Sequence, residues 1–239
     1  MVDLHTINRN NAGKLFDYSI LPKQSQENDI REGCKLAREY NCASFYSSTP
    51  YWTPVIVEEL AGSTVLPATG IDFPFGASPG ILKAHETEYA VAAGCRCVDL
   101  VANVGALKDK RYSVVKDEFT AFKQAAGEAV TKVILEVCYL TNEEIRVCCE
   151  LIAEVGLQYA KTSSGQFEGP SMEQFLVMKD TLNGTQVKLK VAGVKFPRPQ
   201  NAWAFILAGA DLIGTRAAPE IIDALDQMRA IGLMPAYAE

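Results

Sequence analysis

The stretch "VKLKVAG", residues 187–193, alternates apolar and cationic side chains and ends in a glycine. Successive side chains of an extended strand point to opposite faces, so Val187, Leu189 and Val191 share one face and Lys188, Lys190 and Ala192 the other. The apolar face needs a hydrophobic partner such as a layer of helices. Both lysines then turn to the far side, which in a closed sheet is the interior. Ammonium groups there are costly unless they are paired or put to use, so this strand predicts a fold with a polar, chemically active centre.

Seven further segments read as strands: 15–21, 42–47, 64–71, 96–104, 132–139, 157–163 and 210–214. Between them lie helical patterns such as "NDIREGCKLAREY", "SPGILKAHETEYAVAAG", "TNEEIRVCCELIAEVG" and "SMEQFLVMKDTL", several followed by the glycine expected just past a helix end. Eight strand-then-helix units in 239 residues fit an α/β closed (β/α)8 TIM barrel. An open doubly wound sheet is the alternative, but no Gly-x-Gly-x-x-Gly or Walker-type loop follows any strand. No linker or change of composition divides the chain, so one domain over residues 1–239 is expected.

Composition narrows the function. With 48% hydrophobic and 22% charged residues the chain can bury a full core. The net charge of −6 comes from dispersed acidic residues without a basic stripe, which argues against nucleic-acid and anionic-membrane partners. No apolar run reaches the roughly 18–20 residues of a membrane span, and "MVDLHTINRN" lacks the apolar centre of a signal peptide. A cytoplasmic protein is therefore expected. The seven cysteines show no Cys-x-x-Cys spacing and read as small buried hydrophobes of a reducing compartment. With only two histidines, His5 and His85, a histidine-rich metal site is not expected.

The same alternation places Tyr159 with Lys161, Asp99 with Cys97, Val101 and Asn103, and Glu136 with Ile134 and Cys138. Two or three ammonium groups and at least two carboxylates thus converge near the C-terminal strand ends, where barrel catalysis is located. A self-satisfied salt-bridge cluster is the plain alternative. In "YAKTSSG", residues 159–165, Lys161 enters that interior just before a hydroxyl-rich turn. An amine attacks a carbonyl only when neutral. Burial and a second ammonium both favour the neutral form, so Lys161 is suited to forming a Schiff base, with Asp99 moving a proton through water.

These segments also resemble a family. "YAKTSSG" resembles the Schiff-base strand of deoxyribose-phosphate aldolases, "VKLKVAG" the strand of their second lysine, and "VDLVANVGALK" the segment of their catalytic aspartate. "KVILEVCYLTNEEI" is similar to their fifth strand and helix, and "FDYSIL" to their first strand. The resemblance runs from about residue 15 to 220. It implies a class I carbon–carbon lyase on a (β/α)8 barrel, with no metal and no cofactor, that cleaves 2-deoxyribose 5-phosphate reversibly to acetaldehyde and glyceraldehyde 3-phosphate. It implies Lys161 as nucleophile and Lys190 and Asp99 as its catalytic partners. Asp17, Ser19 and Thr162 are candidate substrate ligands, with Gly193, Gly214, Thr215 and Arg216 as the anion site. The expected partners are a small phosphorylated sugar or aldehyde and further copies of the chain, as a dimer or tetramer.

The phosphate end departs from the family pattern. "AGVKFP" replaces Ala-Gly-Gly-Ile-Arg, with Val194 and Lys195 as the new residues, and "GTRAA" replaces Gly-Thr-Ser-Ser. An aldolase or transferase for a different carbonyl substrate, and a catalytically silent barrel, therefore stay open. Tyr46, Tyr51 and Trp52 read as packing residues or lining of the mouth. Asp72, before "FPFG", reads as a hydroxyl ligand or a turn residue.

Overall fold

The computed structural model describes residues 3–238. Eight strands form its centre: β1 Phe16–Ile20, β2 Ser44–Ser47, β3 Leu66–Ile71, β4 Cys97–Val101, β5 Val130–Ile134, β6 Tyr159–Lys161, β7 Lys188–Ala192 and β8 Leu212–Thr215. Around them run α1 Glu27–Glu39, α2 Thr53–Leu60, α3 Gly80–Ala92, α4 Val104–Lys108, α5 Tyr112–Ala126, α6 Asn142–Val155, α7 Met172–Thr181, α8 Arg198–Ala208, α9 Ala218–Asp223 and α10 Leu225–Ala230. All strand pairs are parallel and β8 returns to β1, closing the barrel in the order β1 to β8. The expected (β/α)8 architecture is the one observed.

Local sequence explains where the helices sit. Thr141 and Glu144 form a reciprocal capping box at the start of α6, which ends at Gly156 in the left-handed region. Ser171 and Gln174 form the equivalent box on α7. Outward strand residues such as Phe16, Phe45, Leu100, Val133 and Val191 pack with helix residues such as Ile30, Phe119, Ile152, Phe175 and Trp203 in one continuous core. The inward residues form a second, polar layer.

Every strand is shorter than its segment in the sequence, and two end well before it. Segment 96–104 stops at Val101 because Asn103 leaves the strand to cap α4, its side chain accepting from the Ala106 N–H at 3.0 Å. Segment 132–139 stops at Ile134: Glu136 takes a positive φ of 57° and a 3₁₀ turn covers Val137–Tyr139. Cys138 is therefore not an interior strand residue. Lys188 keeps the inward parity of Lys190, but as the first residue of β7 it lies exposed, 5.8 Å from the Tyr159 ring. The interior receives Lys132 instead.

All seven cysteines are free, and burial pushes the thiols of Cys34, Cys42 and Cys148 up to about 12, which leaves them inert at neutral pH. No helix among the described residues is long and apolar enough to cross a membrane.

Candidate active site

Register places the polar residues in layers. Lys161 on β6 pairs with Lys190 on β7, and Asp99 on β4 pairs with Lys132 on β5. Adjacent parallel strands lie about 4.8 Å apart, so these side chains meet inside the barrel. Lys161 Nζ is 2.8 Å and Lys190 Nζ 2.7 Å from the same oxygen, Asp99 Oδ2. Lys190 also lies 2.7 Å, and Lys132 2.5 Å, from Asp17 Oδ2, while the Ser44 hydroxyl donates to Asp17 Oδ1. The result is a continuous chain of alternating charge: Lys132, Asp17, Lys190, Asp99, Lys161.

Each link has a physical consequence. Burial disfavours the Asp17 and Asp99 anions, but Lys132 and Lys190 around the first and Lys161 and Lys190 around the second outweigh it. Asp17 falls to about 2 and Asp99 falls below its ordinary value. Burial likewise opposes charge on Lys132, and Asp17 more than compensates, so Lys132 rises. Lys161 behaves differently. Burial, its largest influence, and the neighbouring Lys190 prevail over Asp99 and bring its ammonium down to about 8.

Space is arranged for the lysines as well. A Cβ on Gly214 would lie 2.9 Å from Lys190 Cε, so the missing side chain leaves the channel in which Lys190 extends. Beyond Lys161, the Ser164 N–H donates to both carboxylate oxygens of Glu136, at 3.1 and 3.2 Å. That contact ties the hydroxyl-rich turn to the end of β5. Burial raises the Glu136 carboxyl despite these bonds.

A cavity of ≈ 1070 Å³ opens over the cluster at the C-terminal strand ends. Asp99, Lys161 and Lys190 form its base, with Asp17, Ser19, Gly193, Gly214, Thr215 and Arg216 also in its lining. Two expectations change in detail. Thr162 is wholly buried and outside the lining; its hydroxyl bonds to the backbone N–H and carbonyl of Ala192, joining β6 to β7. Asp17 is saturated by Ser44, Lys132 and Lys190, so it positions lysines rather than offering a free oxygen to a ligand. Lys195, also in the lining, makes an exposed pair with Glu168 at 2.8 Å. Gly193 has φ 74°, and its carbonyl oxygen would lie 1.9 Å from a Cβ on Gly169, so the loops after β6 and β7 touch backbone to backbone.

Asp72 proves to be a turn residue: at φ 51° its carboxylate accepts from both the N–H and hydroxyl of Ser78 at 2.8 Å. Several site residues escaped the sequence reading. Lys132 shares parity with Ile134 and was legible by alternation alone. Arg198, at the start of α8, lines the cavity beside the altered loop. Tyr46, read from the sequence as packing or as lining of the mouth, is in the cavity lining, 4% exposed, with its ring centre 4.1 Å from Lys190 Nζ.

No family model matches the chain. A deoxyribose-phosphate aldolase of Clostridium tetani is 38% identical over 212 residues, covering 88% of this chain and 97% of that protein. One from Brevibacillus brevis is 41% identical over 213 residues, covering 89% and 95%. The tetrameric deoxyribose phosphate aldolase of Aeropyrum pernix superposes with a TM-score of 0.84 at 22% identity, over 92% of this chain and 93% of that one, a likeness of fold.

Proposed function

The chain belongs to the deoxyribose-phosphate aldolase family, and from that premise we propose that it cleaves 2-deoxyribose 5-phosphate reversibly through a Schiff base on Lys161. The observation that carries this reading is the environment of Lys161. Its Nζ is buried, has Asp99 as its single partner among the described residues, sits beside a second ammonium and loses its proton near pH 8. Neutral Lys161 attacks C1 of the open-chain sugar, and loss of water from the carbinolamine gives a protonated imine. A base then removes the C3 hydroxyl proton, the C2–C3 bond breaks, and its electron pair moves to the iminium nitrogen as an enamine. Glyceraldehyde 3-phosphate leaves, the enamine takes a proton at C2, and hydrolysis releases acetaldehyde and Lys161.

The Lys190 side chain next to Lys161 favours the free amine there. Asp99 orients both lysines and exchanges protons with water in the cavity. Asp17, itself paired with Lys132, holds Lys190 from below. At the rim, backbone groups of Gly193, Gly214 and Thr215 with the exposed Arg216 make the phosphate site, and Arg198 adds a second guanidinium. An arginine fork offers two charge-assisted hydrogen bonds to one phosphate. Lys195 is available too, since its exposed pair with Glu168 is worth little and exchanges partners readily. We place the enzyme in the cytoplasm, in keeping with its buried free thiols, and as a homo-oligomer, in line with its tetrameric relative.

One observation favours a second reading, in which the acceptor carbonyl lacks a phosphate. Phe75 and Phe196 line the cavity yet are 72% and 80% exposed, an apolar rim that an unphosphorylated aldehyde would cover. Steady-state cleavage of deoxyribose 5-phosphate and of deoxyribose by the wild type and Arg216→Ala separates the two. The phosphate reading expects a wild-type preference for the phosphorylated sugar and a rise in its KM of about tenfold or more in the variant, the loss of one strong charged contact. Deoxyribose cleavage stays unchanged. A wild type that prefers deoxyribose overturns the phosphate site.

A further inference from the structure

We propose that Tyr46 is a positioning residue of the aldolase reaction: its phenol fixes Asp99 and withdraws charge from it, making the Lys161 proton easier to release. This rests on the reading of Lys161 as the nucleophile. Tyr46 Oη donates to Asp99 Oδ1 at 2.6 Å and lies 2.8 Å from Cys97 Sγ. The phenol proton is committed to Asp99, so the Cys97 thiol is the donor in the second contact. The two oxygens of Asp99 therefore have separate tasks. Oδ2 holds Lys161 and Lys190, and Oδ1 is closed by a neutral donor.

Packing alone does not ask for this arrangement. A buried tyrosine hydroxyl needs only one partner and commonly finds a backbone carbonyl or water; this one bonds to two inward side chains of β4. Burial, with Asp99 and Cys97 adding to it, raises the phenol far above its ordinary value, so it stays a neutral donor over the working range. A neutral donor spreads the carboxylate charge without adding a cation. Its removal leaves Asp99 as a stronger acceptor for the Lys161 ammonium, which then keeps its proton to higher pH. The ring adds a second restraint, with Lys190 Nζ 4.1 Å from its centre and Lys132 and Lys161 at 5.5 and 5.8 Å.

Imine formation followed by borohydride trapping, measured against pH, tests the proposal. Tyr46→Phe keeps the ring and deletes only the hydroxyl. The other groups that face the site are unchanged: Asp17 from β1, Cys97 and Asp99 from β4, Lys132 from β5 and Glu136 from the turn after it, Tyr159 from β6 and Lys190 from β7. In Tyr46→Phe the limb on which trapping rises with pH moves upward, so that trapping at pH 7.5 slows by about threefold to tenfold, half to one unit of Lys161 titration. The KM for deoxyribose 5-phosphate stays near the wild-type value while kcat falls. Replacing Tyr46 alone by 3-fluorotyrosine, a stronger donor of the same shape, moves the limb downward. A Tyr46→Phe profile that superimposes on the wild type, or two variants that shift in one direction, overturns the proposal. If Tyr46→Phe does not fold, the fluorotyrosine enzyme decides alone, and an unmoved limb there is fatal. Wild-type enzyme that traps normally beside unmoved variants sinks only the role of Tyr46. Wild-type enzyme that never traps sinks the nucleophile and this proposal together.

Discussion

Lys161 inside the barrel and Lys83 between α3 and α5 are both buried lysines, with relative exposures of 6% and 1%. Their ammonium groups are treated in opposite ways. Lys83 has three acceptors: Glu118 at 2.8 Å, the Gly76 carbonyl at 2.9 Å and the Val101 carbonyl at 3.4 Å, with Asp72 a further 3.8 Å away. An ammonium has three N–H donors, so that site is complete. It pins the turn after β3 to α5 and to the end of β4. Lys161 has one acceptor, Asp99, and shares it with Lys190. The difference teaches that burial alone does not make a lysine reactive. The balance of charge around it decides: at Lys161 burial and the Lys190 ammonium prevail over Asp99, whereas at Lys132, which also has one carboxylate partner, Asp17 and Asp99 prevail over burial.

Asp99→Asn breaks the comparison most severely, since it removes the carboxylate charge that pairs with Lys161. Loss of a positioned proton-transfer group predicts a fall in kcat of about 10²- to 10⁴-fold. The same change takes away the carboxylate that holds the Lys161 proton, so the pH at which imine formation reaches half its maximum moves below about 8. Stopped-flow imine formation across pH 6–9 reads both. An unchanged kcat removes Asp99 from the mechanism.

Lys83→Met sharpens the contrast from the other side. It leaves Glu118 buried beside an apolar chain, and breaking a buried pair in this way costs about 3–5 kcal/mol. Urea unfolding detects that loss. The folded fraction retains kcat near the wild-type value, because Lys83 is not in the cavity lining. A large drop in kcat with no loss of stability contradicts the division into a structural and a reactive lysine.

Much of this was legible in the sequence, for identifiable reasons. Alternation in "VKLKVAG" and "YAKTSSG" places Lys190 and Lys161 inward because a strand leaves each side chain only two directions. Parity does not report depth along the strand. Lys188 has the correct face yet lies outside, while Lys132, on the inward face of its own strand, sits at the base of the charge chain. Strand ends are also hidden in the letters. Nothing in "ILEVCY" marks the positive φ of Glu136 that turns the chain after Ile134. Thr162 follows Lys161 in sequence, and that adjacency puts it on the opposite face, where its hydroxyl joins two strands. Tyr46 shares the inward face of β2 with Ser44, but only the fold brings Asp99 to its hydroxyl.

The central claim is that Lys161, the buried lysine whose ammonium its surroundings disfavour, is the covalent one. Incubation with deoxyribose 5-phosphate and borohydride, followed by intact mass and peptide mapping, tests it most directly. The account predicts a single reduced adduct on Lys161, forming at half its maximal rate near pH 8 as the neutral amine appears, and absent from Lys161→Arg. An adduct on Lys190 or Lys83, or trapping that survives in Lys161→Arg, would contradict it.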